Sequence, residues 1–289
     1  MVDIAVVLHT RSHLGESPIW DGQDQRLWWI DIYRPTLNSF DPASGRNRAI
    51  ALDQSIHAFA LRRRGGVVAS LQRGLGFVDP VSGLAEVFAD PLGQAPVRFN
   101  DGKCDRHGRF WTGSMATDWV TPLGALYRLD PDRAVTPVDR GFRLANGLGW
   151  SPDGTKMYFT DFGRGTIFVY DFDADAGTVA NRRPLIVLPE AEGRPDGMMV
   201  DAEGNLWVAL WDGWALARYD RSGRRIARIP LPVQRPTSCA FGGPDLSTLY
   251  VTSATMDLDP AALGAQPEAG ALFAIATDAR GLVEPRFAG

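Results

Sequence analysis

Six residues recur at one phase of an inner-strand pattern in this chain: Glu16, His57, Asn100, Asn146, Asp196 and Thr237. Each stands four residues before a large or apolar one: Trp20, Leu61, Cys104, Trp150, Val200 and Phe241. A short turn and a second apolar run follow each time. Glu16, Asn146 and Asp196 carry hard oxygen donors. Two carboxylates and a carboxamide suit Ca²⁺, Mg²⁺ or Mn²⁺ and can accept Zn²⁺ or Fe²⁺. Three such ligands leave coordination positions open for water and a reacting molecule. Taken singly, Asn-Gly, Asp-Gly and Glu-Ser-Pro are ordinary turn or cap sequences; turn chemistry does not account for their shared phase. His57 offers a proton shuttle, an auxiliary ligand or a hydrogen-bonded rim histidine, and Thr237 a polar wall. His9, His13 and His107 are assigned no chemistry.

These positions converge only if the elements carrying them are arranged radially. The second apolar runs are RLWWID (26–31), GVVAS (66–70), RFWTG (109–113), KMYFTD (156–161), NLWVAL (205–210) and TLYVT (248–252). With Trp28, Val68, Trp111, Tyr158, Trp207 and Tyr250 equivalent, the repeats are 40 to 49 residues apart. Turns rich in Asp, Gly, Asn and Pro precede most of them, as tight hairpins require. A third run follows each, as in LNSFDPASG (37–45), LYRLDPD (126–132) and IFVYDFD (167–173). Alternating β-branched and aromatic residues indicate strands, and no long helical period is present. A period of this length with several short strands per unit is the signature of a propeller blade. The sequence therefore predicts an all-β, six-bladed propeller of four-stranded blades, a single domain over residues 1–289. The segment IAVVLH (4–9) has no partner in its own repeat and is expected to pair with the last blade, closing the ring and removing an edge.

Composition narrows the function classes. A net charge of −4 gives no electrostatic footprint for nucleic acid. Arg62–Arg64 beside Gly65 and Gly66 reads as a solvated hairpin tip. Cys104 and Cys239 lack metal-ligand spacing, fall inside apolar inner-strand segments and read as small buried hydrophobes. A disulfide between them is disfavoured, because they belong to different repeats. MVDIAVVLHTR lacks the basic and apolar regions of a secretory leader. No apolar run approaches the length of a membrane span. The expected location is the cytoplasm, as a monomer or weak homo-oligomer.

The motifs LGESPIW (14–20), RFNDGKCD (98–105), GRFWTGSM (108–115), GALYRLDPD (124–132), ANGLGWSPDG (145–154), YFTD (158–161), PDGMMVDAEGNLWVALW (195–211) and TSCAFGGPDLSTLYVTSA (237–254) run through nearly the whole chain. In this order they resemble the regucalcin/gluconolactonase family of six-bladed propeller lactonases. The resemblance implies that Glu16, Asn146 and Asp196 hold one divalent metal ion, with Asp196 also the general base. It implies that Arg98 and Asn100 hold substrate near the metal. Asp118 stands where the family often has a glutamate that contacts sugar hydroxyls, and its shorter side chain departs from that pattern. His57 is not part of the family pattern.

The resemblance further implies hydrolysis of a sugar lactone to its aldonic acid. A metal would polarise the carbonyl and lower the pKa of water. Arg98 would add a charge-assisted hydrogen bond, and Asn100 would donate to and accept from hydroxyls. Trp119, Trp211 and Trp214 are expected near the mouth, where indole can stack on a sugar face. Arg164 and Arg34 at the same mouth would favour an anionic substituent. Two alternatives remain: another metal-dependent ester or phosphotriester hydrolase, and a non-catalytic propeller that binds Ca²⁺.

Overall fold

Inner and second strands such as GESPIWD and LWVALW are buried along their whole length, because each sheet packs both faces against its neighbours, whereas outer strands such as RNRAIA are largely exposed. The computed structural model describes residues 3–289; Met1 and Val2, the start of the stretch read for a leader, lie outside the described residues. Among the described residues the strands form six four-stranded antiparallel sheets. The innermost strands are Gly15–Asp21, Ile56–Leu61, Val97–Cys104, Ala145–Trp150, Arg194–Val200 and Pro236–Gly242. Each sheet is a blade, and the blades follow one another in chain order around an axis. The predicted six-bladed propeller is thus the observed fold. Ile4–Leu8 is the outermost strand of the sixth blade, pairing Ile4 with Ile275 and Val6 with Phe273. This closes the ring as expected. The one α-helix among the described residues, Pro260–Ala265, sits in the sixth blade between its second and third strands. Among the described residues no helix is long and apolar enough to cross a membrane.

Packing between blades follows the repeat. The second-strand aromatic of one blade meets the apolar residue that ends the inner strand of the next. Trp111 lies edge-on to Trp150 at 6.1 Å, Trp207 to Phe241 at 5.6 Å, and Tyr250 stacks on Trp20 at 5.7 Å across the closure. Such pairs contribute about 0.5–1.5 kcal/mol each beyond their buried area. Two of the indoles are also pinned by turn aspartates: Trp111 Nε1 donates to Asp105 at 2.9 Å and Trp207 Nε1 to Asp201 at 3.0 Å. Cys104 and Cys239 are free and buried. Burial pushes the Cys239 thiol up to about 12, which makes it inert.

Every inner strand carries one extra residue relative to its partner strand. The register slips between Glu16 and Ile19, Ile56 and Ala58, Phe99 and Gly102, Ala145 and Leu148, Pro195 and Met198, and Pro236 and Ser238. A β-bulge re-aims the side chains beside it, and these bulges fall at the six recurrent positions. The Asn-Gly and Asp-Gly pairs therefore lie in bulges rather than hairpin turns. Their glycines are required by close approach. A Cβ on Gly147 would collide with the Asp196 carbonyl, and one on Gly197 with the Ser238 side chain. Gly197→Ala is expected to destabilise the protein by ~1–3 kcal/mol through overpacking. Gly22→Ala, where nothing lies within 4 Å, should stay within about 0.5 kcal/mol of wild type. Equal melting of the two variants in a thermal denaturation would contradict this.

Candidate active site

The bulges bring Glu16, Asn146 and Asp196 to one small cavity at a mouth of the propeller axis. Leu14, Arg98, Asn100, Trp119, Leu144, Phe162 and Trp211 complete its lining. It is a small recess that opens to solvent at the mouth. Glu16 is 7% exposed, Asn146 5% and Asp196 3%.

Neighbouring blades fasten this ring to one another. Asn146 Nδ2 donates to Asp196 Oδ1, linking the fourth and fifth blades. Asn100 Nδ2 donates to the Ala145 carbonyl at 2.9 Å, and Thr237 Oγ1 donates to the Gly15 carbonyl. Both grip the residue just before a ring position in the following blade. Aspartates at the ends of two second strands fix the entry to the site. Asp31 accepts from the backbone N–H groups of His13 at 2.8 Å and Leu14 at 3.1 Å, two residues upstream of Glu16. Asp161 accepts from Arg143 and Leu144, both at 3.3 Å, two residues upstream of Asn146. Sequence reasoning missed these two; their signal was the shared Asp at the ends of WWID and YFTD.

Electrostatically the cavity is short of positive charge. Burial, and after it the Asp101 carboxylate, pushes Glu16 up to about 8. Burial, then Glu16 and Asp101, raises Asp196 well above the usual carboxylate range. Asp101, a further carboxylate that sequence reasoning overlooked, is pushed up to about 6 by burial while Lys103 draws it down. Carboxylates buried together without a counterion favour their neutral forms or a bound cation. The Asn146 amide points its Nδ2 at Asp196, which leaves its Oδ1 buried without a partner. Two carboxylates and an unpartnered carbonyl oxygen are a donor set that fits a divalent cation. Among the described residues no group of three or more His, Cys, Asp or Glu side chains is arranged to hold a metal; here the third donor is a carboxamide.

The other expected residues divide. The Arg98 Nη1 group donates to the Phe99 carbonyl at 2.8 Å and to Asn100 Oδ1 at 3.0 Å, so the guanidinium is held rigidly at the wall. Asn100 keeps one N–H and one lone pair uncommitted. Trp119, at φ 64°, sits with its ring centroid 5.5 Å from the Arg98 guanidinium carbon. Asp118 is exposed, and its carboxylate accepts from Val120 and Thr121 of its own loop, both at 2.9 Å. It thus supports the turn that presents Trp119. His57 is buried, its Nδ1 has no partner, and burial together with Arg98 pushes it down to about 3, which is unsuited to proton shuttling near neutrality. Arg164 is committed to Asp161 and the Gly141 carbonyl, both at 2.7 Å. Arg34 donates to the Arg11 carbonyl at 3.0 Å. Neither Arg164, Arg34 nor Trp214 lines the cavity, whereas Trp211 does.

A propeller with a cation-ready cavity at one mouth is the class that this fold and site define. Residues 14–255 match the family described as SMP-30/Gluconolactonase/LRE-like region. The chain belongs to that family. It is 38% identical to pentonolactonase XacC of Haloferax volcanii, over 97% of this chain and 96% of that protein. It is 38% identical to regucalcin of Gallus gallus, over 95% and 94%. The crystal structure of a calcium-binding protein, regucalcin, from Agrobacterium tumefaciens superposes with a TM-score of 0.94 at 32% identity, covering 99% of this chain and 97% of that one.

Glu16 gives the metal-free protein a distinctive pH response. Its folded pKa of about 8 exceeds its ordinary value of 4.5, so the folded state holds a proton that the unfolded state releases. The resulting stability is full below about pH 4.5 and is lost as pH rises through about 8. The melting temperature of metal-free protein should therefore fall from pH 5 to pH 8. Excess Mn²⁺ should raise it most at the upper end. A flat metal-free profile across that window would contradict the assignment.

Proposed function

We propose that this protein hydrolyses a neutral sugar lactone to the aldonic acid, with one divalent cation held by Glu16, Asn146 Oδ1 and Asp196. The observation that carries this reading is the donor set itself. Two buried carboxylates and an orphaned amide oxygen face one small recess at the propeller mouth. The chain's similarity to a pentonolactonase over its whole length supports the same reading.

Bound there, the cation would polarise the lactone carbonyl and make water a better nucleophile at neutral pH. The chain's own groups do the rest. Arg98, fixed by Phe99 and Asn100, turns its remaining N–H groups toward the ring substituents or carbonyl oxygen. Asn100 offers its spare N–H and lone pair to a hydroxyl, and its bond to Ala145 keeps the neighbouring Asn146 in place. Water adds to the lactone carbonyl carbon as Asp196 takes its proton; the ring C–O bond then breaks, and Asp196 returns the proton to the ring oxygen, which leaves as a hydroxyl. The indoles of Trp119 and Trp211 offer apolar faces to the C–H side of a sugar and restrict water.

Among the described residues lining the cavity, Arg98 is the one basic side chain. That argues for a neutral substrate, against the expectation attached to Arg164 and Arg34. Ca²⁺, Mn²⁺, Zn²⁺, Mg²⁺ and Fe²⁺ are all compatible with the oxygen donors.

The test is a panel of pentono- and hexonolactones and a uronic acid lactone, assayed with metal-free protein reloaded with each cation. Neutral lactones should turn over with the higher kcat/KM. Asp196→Ala should lose cation binding in calorimetry and at least a hundredfold in kcat. Tight cation uptake without hydrolysis of any lactone would leave a binding protein in place of an enzyme. Full activity of Asp196→Ala would overturn the residue roles.

A further inference from the structure

The inner strands run from the site to the opposite mouth, where Trp20, Leu61 and Cys104 end them. That mouth is crossed by the C-terminal segment. Arg280 O accepts from Ala202 N–H of the fifth blade at 2.8 Å, and Gly281 N–H donates to Leu246 of the sixth, also at 2.8 Å. Six residues later the chain is fastened on the far side. Phe287 exchanges backbone bonds with Leu61 and Arg63 of the second blade, at 2.8 and 2.9 Å, and Ala288 N–H donates to Gly108 of the third at 3.0 Å. Arg286 pairs with Asp21 of the first blade, and Phe287 is fully buried. The segment is a strap over the axis, with cavities on either side of it.

The middle of the strap inverts ordinary burial. Val283 is 76% exposed, whereas the Glu284 side chain next to it is 9% exposed. Hydrophobic burial alone would place these two the other way round. Glu284 instead turns inward and meets Lys103 Nζ at 3.6 Å; the lysine side chain is 14% exposed. Lys103 belongs to the third blade, yet its Nζ donates to the Met198 carbonyl of the fifth at 3.1 Å. It therefore spans the axis. Met198 lies two residues beyond Asp196, and Lys103 three beyond Asn100, about 10 Å along the strand. Asp101, one of the buried carboxylates beneath the site, lies two residues from Lys103 on the same inner strand. Around the axis, Glu16, Asp101, Asp196 and Glu284 face Arg98 and Lys103. The surplus of two negative charges equals the charge of one divalent cation.

We propose that the strap is a working part of the cation site: Glu284, held under the axis, neutralises Lys103 and so prevents the lysine's charge from weakening cation binding by Glu16, Asn146 and Asp196. The proposal rests on the cation-site reading given above. Removing either charge changes the field at the site in opposite senses, because both sit behind the ligands and touch neither cation nor substrate. A unit charge about 10 Å from a divalent cation, at an effective dielectric of about 50 between the protein and water limits, shifts affinity by about tenfold.

The experiment is calorimetric titration of full-length, metal-free protein with Mn²⁺. Glu284→Gln should weaken Mn²⁺ binding about tenfold, since it removes one of the negative charges that oppose Lys103. Lys103→Met should tighten it by a similar factor, and the double variant should return to within about threefold of wild type. A purely structural strap would weaken binding in all three variants, and that result overturns the proposal. So does wild-type affinity in both single variants. Wild-type protein that takes up no Mn²⁺ overturns the underlying cation-site reading and this proposal with it. Wild-type uptake with unmoved variants overturns the proposal alone.

Discussion

Like charges buried together near the axis are the constraint on which the rest of this structure turns. Glu16 raises the proton affinity of Asp196, and Asp101 raises that of both. Nothing in a hydrophobic core requires such an arrangement, and burial of an unpaired carboxylate costs several kcal/mol unless it is protonated or neutralised. The fold accepts that cost at one place and surrounds it with unusually firm supports. Three ring residues bind across to the next blade. Two aspartates cap the backbone leading into Glu16 and Asn146. The two glycines that follow Asn146 and Asp196 let adjacent inner strands close to a distance that no Cβ would permit. Packing and hydrogen bonds supply the free energy that repulsion among the carboxylates removes.

The supports also explain why the bulges occur where they do. A regular strand would turn alternate side chains to opposite faces, and a residue at the ring position would be committed to one face by the pleat. One extra residue on every inner strand breaks that commitment locally and restores it before the apolar residue at the far end. Trp150 and Phe241 can therefore pack on Trp111 and Trp207 of the preceding blades while Asn146 and Thr237, four residues earlier, serve the ring.

Much of this was legible in the sequence, and the pattern of what was not is instructive. The restart of apolar runs gave the blades, and the phase of Glu16, Asn146 and Asp196 gave their convergence, because radial repetition maps equal phase onto equal depth. The bulges were invisible, since an inserted residue leaves no mark on a pattern whose register is unknown; Asn-Gly and Asp-Gly consequently looked like turns. Asp101 was passed over because its neighbour Asn100 held the recurrent phase, and in a bulge both residues can matter. Asp118 was placed by analogy with a longer glutamate, but its shorter carboxylate bonds its own loop instead. Arg164 was expected at the mouth, but it pairs with Asp161 across a short 3-10 turn, and such a pairing is decided by geometry. The inward turn of Glu284 contradicts hydropathy at Val283 and had no sequence signal at all.

A cation with open positions is indifferent to which carbonyl or phosphoryl oxygen it polarises, so selectivity must come from the remaining ring positions and the walls. A six-bladed ring offers six sites at equal depth, and three donors suffice for a catalytic cation. The other three positions are then released for different work. Here Thr237 serves as a fastener, Asn100 as fastener and polar contact, and His57 as a neutral, buried ring. Above them Leu14, Leu144, Phe162, Trp119 and Trp211 form apolar walls around a single guanidinium. A small ring with one C–H face and several hydroxyls satisfies those walls and Arg98 together. A bulky phosphotriester would fill the cavity but leave the spare polar groups of Arg98 and Asn100 without hydroxyls to bind, and buried polar groups left unpaired are what rejects a wrong substrate most strongly.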